Sequence, residues 1–181
     1  MSENLSARSR ERVEAWLSDL RERYEGFDRV EKRWELSPDA YERDRERIAA
    51  GENGGAGIWI TNDDGEVLLV RNEGDAGWAD PGGKREADET FETAARREVR
   101  EETTVEASIT DVREAHVLEL VDETDPGRPA LASLIVIFTG EYEGGDPRPR
   151  EGEIAAVEWV ASPPETPLYP EVAERPYPAS E

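Results

Sequence analysis

Hydrophobic residues recur along this chain at two spacings, and each spacing predicts one type of secondary structure. Between Ser9 and about Gly26 they recur at helical intervals, which predicts an amphipathic helix that ends at the glycine. Ser37-Pro38, a capping residue followed by proline, predicts the start of a second helix that runs to the glycine-rich stretch 51–57. Because such a stretch is typical of a linker, we expect a helical N-terminal extension over residues 1–51 and a separate domain after it.

After the glycine-rich stretch the apolar residues are mostly arranged as they are in β-strands. The turn Asn62-Asp63-Asp64-Gly65 separates the first two strands, since Asp-Gly is a favoured hairpin turn. One helix is predicted at about 90–103, and the proline-rich tail leaves room for a short helix at about 169–174. The strands are predicted near 57–61, 66–71, 105–112, 114–121, 131–142 and 153–160. Strands around one central helix predict an α+β layered sandwich.

Aromatic residues at patterned positions are predicted to belong to the core. Trp16, Trp34, Trp59 and Trp159 are interpreted in this way. The single histidine, His116, alternates within a predicted strand and has no partner that is evident in the sequence, so a structural role is favoured over a catalytic one.

The charge of the chain narrows its class of partners. Acidic residues number 44 against 22 basic ones, which gives a formal net charge of −22, and only Lys32 and Lys84 among the basic residues are lysines. This composition predicts a halophilic protein that works in molar salt, where self-repulsion is screened. Intrinsic disorder is the alternative, but the apolar periods argue against it. No basic stripe exists to bind a nucleic-acid duplex, and an anionic membrane surface would repel the chain.

The absence of cysteine and of long apolar runs excludes several further classes of protein. The chain has no cysteine, so a disulfide framework, a thiolate zinc site and a cysteine nucleophile are all excluded. Its first residues contain no apolar segment like that of a secretory signal, and no apolar run approaches the length of a membrane span. We therefore expect a cytoplasmic protein.

The segment Gly83–Val105 carries the candidate chemistry. Its glycine turn is followed after five residues by Glu89, and seven residues later the run Arg97–Glu102 begins. On a helix the three glutamates of this run stand at i, i+3 and i+4 and project from one face. Like charges this close are unfavourable unless a cation lies among them, and Mg²⁺ and Mn²⁺ prefer such oxygen ligands together with phosphates. A solvated acidic face is the alternative, but the glycine loop, Glu89 and Arg97 favour a metal site.

This segment resembles the Nudix box, G-x5-E-x7-R-E-U-x-E-E-x-G-U, in which U is aliphatic. The matching residues are Gly83, Glu89, Arg97, Glu98, Val99, Glu101, Glu102 and Val105. Thr104 stands where the box has its late glycine. That glycine follows the helix, where a left-handed residue is convenient, so Thr104 predicts a slightly different helix exit.

The resemblance implies a fold, an activity and a set of ligands. The implied fold is a Nudix-type α/β/α sandwich with a mixed sheet over residues 52–181. The implied activity is metal-dependent hydrolysis, by metal-activated water, of the pyrophosphate in nucleoside diphosphate-X compounds such as ADP-ribose, dinucleoside polyphosphates or nucleoside triphosphates. The implied ligands of Mg²⁺ or Mn²⁺ are the carbonyl of Gly83 and the carboxylates of Glu98, Glu101 and Glu102.

Family resemblance also assigns roles around these ligands. An arginine–glutamate contact ties the loop to the helix in the family, so we expect Arg97 and Glu89 to pair, an incidental surface pair being the alternative. A further carboxylate often comes from a loop before a late strand; Glu151 and Glu153 are candidates, and Glu153 is favoured because an aliphatic residue and then a tryptophan follow it at the family's spacing. Glu98 or Glu153 is the expected base.

Other interpretations stay open. Lys84 follows the glycine turn and could counter a phosphate charge, or it could be a solvated loop residue. The protein could be a mutation-avoidance nucleoside triphosphate pyrophosphatase or a nucleotide sensor without turnover; the isomerase branch of the fold needs a cysteine and is excluded. The N-terminal helices could dimerise, cap the pocket or bind another protein, and the apolar residues Trp16, Leu17 and Leu20 favour a homodimer.

Overall fold

This computed structural model describes residues 2–181, which form four α-helices and eight β-strands. In chain order the elements are α1 (Ser2–Arg23), β1 (Asp28–Leu36), α2 (Pro38–Ala49), β2 (Gly55–Thr61), β3 (Val67–Asn72), β4 (Trp78–Ala79), β5 (Gly82–Lys84), α3 (Phe91–Thr103), β6 (Glu106–Asp122), β7 (Leu131–Gly144), β8 (Ile154–Val160) and α4 (Pro170–Glu174). A 3₁₀ turn at Pro178–Ser180 follows α4. Of the helices described, none is long and apolar enough to cross a membrane.

All eight strands form one mixed sheet, which confirms the predicted α+β class. Its strand order is β1-β6-β7-β2-β3-β4, while β5 pairs with β2 and β8 pairs with β3. The pairs β1–β6 and β2–β7 are parallel, and the others are antiparallel. The two strands predicted near 105–112 and 114–121 are one strand, β6, whose register against β7 shifts at two points between Ile109 and Glu114. Such irregularities let a long strand bend without ending.

Strand β2 shows how the sheet divides the core into two faces. Ile58 and Ile60 pack with residues of α1 and α3 on one face, whereas Trp59 packs with Val172 and Tyr177 of the C-terminal tail on the other. This alternation follows from the two-residue period of a strand. Helix α3 buries the edge that the sequence predicts, which consists of Phe91, Ala95 and Val99.

The N-terminal segment is not only helical, because it also contributes β1 to the sheet. That strand was missed because its sequence, DRVEKRWEL, has only three apolar residues, and Lys32 interrupts their alternation. It lies at the edge of the sheet, where one neighbour, β6, supplies its hydrogen bonds, and most of its residues are exposed. Edge strands of this kind are commonly charged, since charge discourages pairing with other chains.

Helix α1 packs onto the sheet of its own chain. Leu17 and Leu20 are fully buried in the same cluster as Ile58 and Phe138, and Trp16 packs edge-to-face on Phe91. The apolar residues that favoured a homodimer are therefore used inside the chain, and the argument for dimerisation from them is lost. The predicted boundary near residue 52 stays a prediction, but one sheet and one core extend across it.

Two further predictions about single residues are wrong. Trp34 was predicted to be in the core, but it is 43% exposed, because α2 covers this face of the edge strand only in part. Thr104 does not change the helix exit, because it adopts the left-handed conformation itself, with φ 60° and ψ 12°. It is the one non-glycine residue with positive φ in residues 2–181. Its hydroxyl donates a hydrogen bond to the Asp146 carbonyl, which offsets part of the strain.

Candidate active site

The glycine loop lies directly against strand β2. Strand β5 pairs antiparallel with β2, so that Gly83 faces Ala56 and Gly82 faces Gly57. A methyl group on Gly82 would lie 2.5 Å from the Ala56 carbonyl oxygen, a distance that real contacts do not reach. Glycine at this position is thus required by the close approach of two backbones. Strand β2 also contacts α3, and this packing brings the loop beside the helix.

Arg97 makes five hydrogen bonds, three of which connect the helix to the loop. Its Nε and Nη2 donate to the two oxygens of Glu89, each at 2.7 Å. Its Nη1 donates to Glu98 at 2.8 Å and to Glu101 at 3.2 Å, and its Nη2 also donates to the Lys84 carbonyl at 3.0 Å. Hydrogen bonding to Arg97 lowers the pKa of Glu89 despite its partial burial. The geometry is the bidentate fork that guanidinium and carboxylate form.

Glu98 lies with its carboxylate against the glycine loop. A methyl group on Gly83 would lie 2.5 Å from Glu98 Oε2, so the absent side chain of Gly83 is the space that Glu98 occupies. Burial raises the pKa of Glu98, although the hydrogen bond from Arg97 opposes this shift.

Glu102 is the most buried of the three box carboxylates. It is 4% exposed, and the Gly82 N–H donates to its Oε2 at 3.1 Å. Burial raises the pKa of Glu102 to about 8, and the charges of Glu98, Glu153 and Asp80 add to this effect. A buried carboxylate that accepts one hydrogen bond and has no cationic partner is unfavourable when it is ionised. A cation at this place would remove that cost, so the residues present fit a divalent metal ion.

Glu101 and Glu153 are more exposed and are held by arginines. The Glu101 side chain is paired with Arg97 and lies 3.5 Å from Arg150, while Glu153 lies 3.2 Å from Arg150. The charge of Glu153 nevertheless reaches both Glu98 and Glu102, because it contributes to the raised pKa of each. Glu151, the other candidate, is exposed. In the conformation described for residues 2–181, no three acidic or histidine side chains converge on one point as a metal-ligand set.

One end of a cavity of about 580 Å³ is lined by Glu102 and by the loop residues Gly82, Gly83 and Lys84. Glu98, Glu101 and Glu153 do not line it. The cavity extends along the sheet face formed by β2, β7, β6 and β1, and its volume suits a small-molecule ligand. Glu102 and the loop are thus arranged where a ligand in the cavity would meet them.

A buried polar network beside the loop was missed in the sequence. Arg175 Nη1 donates to Asp80 at 2.7 Å, and Arg175 Nε donates to Glu114 at 2.9 Å. Tyr169 donates to Asp80 as well, and His116 Nε2 lies 2.9 Å from Glu114 Oε1. Burial opposes ionisation of Glu114, but the hydrogen bonds from His116 and Arg175 outweigh it and lower its pKa to about 2.

Part of this network had a signal in the sequence. Glu114 and His116 are two residues apart in a predicted strand, so they lie on the same face and can pair. His116 lines the cavity and pairs with Glu114, and the structural role favoured for it stays a prediction. Asp80 stands directly before the Pro81-Gly82-Gly83 turn. No local pattern indicates Arg175, which comes from the distant tail.

Comparison with known proteins identifies the family of this chain. Residues 52–177 match the model of the NUDIX domain. The chain belongs to the NUDIX domain family. A MutT-like protein of Streptomyces ambofaciens is 33% identical over 105 residues, which make up 58% of this chain and 60% of that protein. This NUDIX chain thus spans less than two thirds of the length of that relative.

Solved structures that are similar to this chain include two with printed functional names. An ADP-ribose pyrophosphatase from Streptococcus suis is 18% identical with a TM-score of 0.48, and the likeness covers 71% of this chain and 87% of that chain. A MutT protein from Methanosarcina mazei is 27% identical with a TM-score of 0.47, and the likeness covers 60% of this chain and 75% of that chain. Since both TM-scores are below 0.5, these likenesses carry no argument about activity. The NUDIX match itself supports the expectation of a pyrophosphohydrolase.

Proposed function

We propose that this NUDIX protein is a metal-dependent hydrolase that cleaves the pyrophosphate bond of nucleoside diphosphate-X compounds. The observation that carries the proposal is the pair of carboxylates, Glu98 and Glu102, held against the backbone of the Gly82–Gly83 loop at one end of a ligand-sized cavity. A buried carboxylate with a raised pKa is unfavourable for stability, and such groups are found mainly where function requires them.

In this proposal the carbonyl of Gly83 and the carboxylates of Glu98, Glu101 and Glu102 hold Mg²⁺ or Mn²⁺. These residues would hold the ion, which would supply charge withdrawal from the phosphorus and a lower pKa for a water molecule. Arg97 already holds the carboxylates of Glu98 and Glu101, so ion binding requires these side chains to exchange part of that contact. The Glu89–Arg97 pair keeps the loop and the helix in register while that exchange takes place.

The remaining roles belong to residues around this centre. Glu98 or Glu153 accepts the proton of the attacking water. Lys84 borders the cavity beside the loop and is exposed, so its ammonium group is placed to counter a phosphate charge.

Two alternatives stay open. One is a mutation-avoidance type that acts on nucleoside triphosphates. A nucleotide sensor without turnover would keep the same cavity. ADP-ribose and dinucleoside polyphosphates are the other candidate substrates. The halophilic character and the cytoplasmic location stay predictions, and a homodimer now needs a contact other than the buried face of α1.

The test is a panel of nucleotides incubated with Mg²⁺ or Mn²⁺ at high KCl, with products separated by chromatography. We expect turnover of at least one nucleoside diphosphate-X compound that stops when the metal is chelated. Glu102→Gln and Glu98→Gln should each lose most of the activity, and Glu151→Gln, an exposed acid near the site, should not. Tight binding without turnover would favour the sensor, and turnover that is indifferent to chelation would refute the proposal.

Metal binding can be measured separately from activity. Calorimetry with Mn²⁺ on the wild type and on the triple variant Glu98→Gln, Glu101→Gln, Glu102→Gln compares the two proteins without any nucleotide. We expect binding to the wild type alone. Equal uptake by both proteins would show that these carboxylates are not the ligands.

A further inference from the structure

The glycine loop is held at both of its ends by an arginine. At its C-terminal end, Arg97 Nη2 donates to the Lys84 carbonyl at 3.0 Å. At its N-terminal end, Arg175 Nη1 donates to Asp80 Oδ1 at 2.7 Å, and Asp80 stands directly before the turn at residues 81–83. The backbone that carries the candidate metal ligand of the loop therefore lies between two guanidinium contacts.

Arg175 belongs to the C-terminal tail and is held in place by other buried side chains. Its own side chain is 2% exposed, and the ring centroids of Trp59 and Tyr169 lie 5.0 Å and 5.1 Å from its Cζ. Its Nε donates to Glu114 at 2.9 Å, so its charge has a second buried partner besides Asp80. Such a guanidinium has little freedom to move, because its planar fork fixes the directions of its hydrogen bonds.

The tail on both sides of Arg175 is attached to the sheet. Trp59 of β2 donates from its Nε1 to the Pro176 carbonyl at 3.0 Å. The Tyr177 ring packs edge-to-face on Trp59 at 5.3 Å, and the Tyr177 hydroxyl donates to the Val172 carbonyl at 2.7 Å. The position of Arg175 is therefore set by β2, the same strand that pairs with the glycine loop.

Asp80 passes this position on to the loop. A methyl group on Gly57 would lie 2.6 Å from Asp80 Oδ2 and 2.8 Å from the Pro81 carbonyl oxygen, so the missing side chain of Gly57 is the space that this turn occupies. The Ile58 N–H donates to the same Pro81 carbonyl at 3.2 Å. The Asp80 side chain is 5% exposed, and Tyr169 also donates a hydrogen bond to it.

The position of the loop decides how it meets the carboxylates of α3. The Gly82 N–H donates to Glu102 Oε2 at 3.1 Å, and Gly83 leaves the space that Glu98 occupies. A shift of the loop by about 1 Å would break this hydrogen bond. Groups that bind a metal ion must be held within about 0.5 Å of their working geometry, so a shift of this size would also disturb ion binding.

We propose that Arg175 is a positioning residue for the metal site, which through Asp80 holds the glycine loop beside α3 so that the Gly83 carbonyl and Glu102 can bind one ion. This inference rests on the proposed function, which makes these groups metal ligands. Arg175 is not a ligand itself, because a guanidinium group has no lone pair to offer. Residues that orient metal ligands in this way typically change metal affinity by about 10- to 100-fold when they are replaced.

The charge of Arg175 predicts a change of the opposite sign. Removing this cation leaves Asp80 and Glu114 without the positive charge that they share. If only its charge mattered, the loss of Arg175 would strengthen the attraction of the site for a divalent cation. If Arg175 positions the loop, its loss weakens ion binding. The direction of the change in metal affinity therefore separates the two roles.

The test is calorimetry with Mn²⁺, without any nucleotide, on the wild type and on two variants of Arg175. Arg175→Met should weaken Mn²⁺ binding by about 10- to 100-fold. Arg175→Lys keeps the charge but lacks the fork, so it should also weaken binding, by more than about threefold. Because Arg175 acts through Asp80, adding Arg175→Met to Asp80→Ala should change Mn²⁺ affinity by less than about threefold.

Arg128→Met is the matched control. Arg128 also bridges two carboxylates, those of Glu42 and Asp122, and none of these three residues lines the cavity. Arg128→Met should leave Mn²⁺ affinity within about twofold of the wild type. Hydrogen–deuterium exchange without metal provides a second measurement, and exchange at residues 80–84 should be faster in both Arg175 variants than in the wild type and in Arg128→Met.

Thermal melts of each variant check that the fold is retained, and Arg175→Lys takes the place of Arg175→Met in each comparison if Arg175→Met does not fold. Unchanged or tighter Mn²⁺ binding in the Arg175 variants, or an equal loss in Arg128→Met, would overturn the inference and leave the proposed function standing. Absence of Mn²⁺ binding in the wild type would instead refute the proposed function, and this inference with it.

Discussion

The contact between Arg97 and Glu89 offers the sharpest test of how the candidate site is held together. Arg97→Met removes two charge-assisted hydrogen bonds to Glu89 and leaves the carboxylates of Glu89 and Glu98 partly buried without their partner. Breaking a fully buried pair costs about 3–5 kcal/mol, and an exposed pair contributes about 0–1 kcal/mol. The side chains of Arg97 and Glu89 are 20% and 12% exposed, so we expect a loss of about 2–3 kcal/mol in the free energy of unfolding.

The same contact predicts a pH dependence. Hydrogen bonding to Arg97, together with the charge of Arg85, holds the pKa of Glu89 below its ordinary value. A carboxylate whose folded pKa is lowered stabilises the folded state above its unfolded pKa, and this contribution is lost as the pH falls through the folded value. Wild type should therefore lose stability on acidification over this range, and Arg97→Met should lose less, because its Glu89 has already lost the stabilising partner.

The assay is urea unfolding in a double-mutant cycle with Arg97→Met, Glu89→Gln and the double variant, at neutral pH and at pH values below the ordinary pKa of glutamate. We expect a coupling free energy of about 1–2 kcal/mol at neutral pH. Arg97→Lys should restore only part of it, because an ammonium group lacks the planar fork.

A matched control is the ion pair between Arg33 and Glu119, whose side chains are 59% and 52% exposed. Arg33→Met should change stability by less than about 0.5 kcal/mol. If Arg97→Met is no more destabilising than Arg33→Met, or if the coupling is zero, the contact is an incidental surface pair and the reasoning is refuted.

Three further changes test other parts of the structure. Thr104→Gly should be more stable to urea than Thr104→Ala by about 1 kcal/mol, because both lose the hydroxyl but only glycine relieves the left-handed strain; equal stability would contradict this. Gly83→Ala should displace Glu98 and weaken Mn²⁺ binding measured by calorimetry while the melting temperature changes little; unchanged binding would contradict the packing. Arg175→Met should cost about 3–5 kcal/mol in urea unfolding, because it removes the cation shared by two buried carboxylates, Asp80 and Glu114, and a loss below about 1 kcal/mol would show that the network is unimportant.

Local spacing was sufficient to predict the elements whose apolar period is strong. Helix α3 and the strands β2, β3, β7 and β8 were all predicted, because each must bury one face or both and its sequence shows that requirement directly. The box motif indicated which carboxylates to consider, and their proximity to the glycine loop follows from the helix period and the short connection before it.

Tertiary structure alone decided what is made by residues far apart in the chain. Strand β1 has only three apolar residues in a highly charged sequence, and its place at the edge of the sheet is set by its pairing with β6. Arg175 reaches Asp80 and Glu114 only after the tail has folded back over the sheet. The position of Trp34, at the cavity and not in the core, depends on what covers the edge of the sheet, and no local pattern records that.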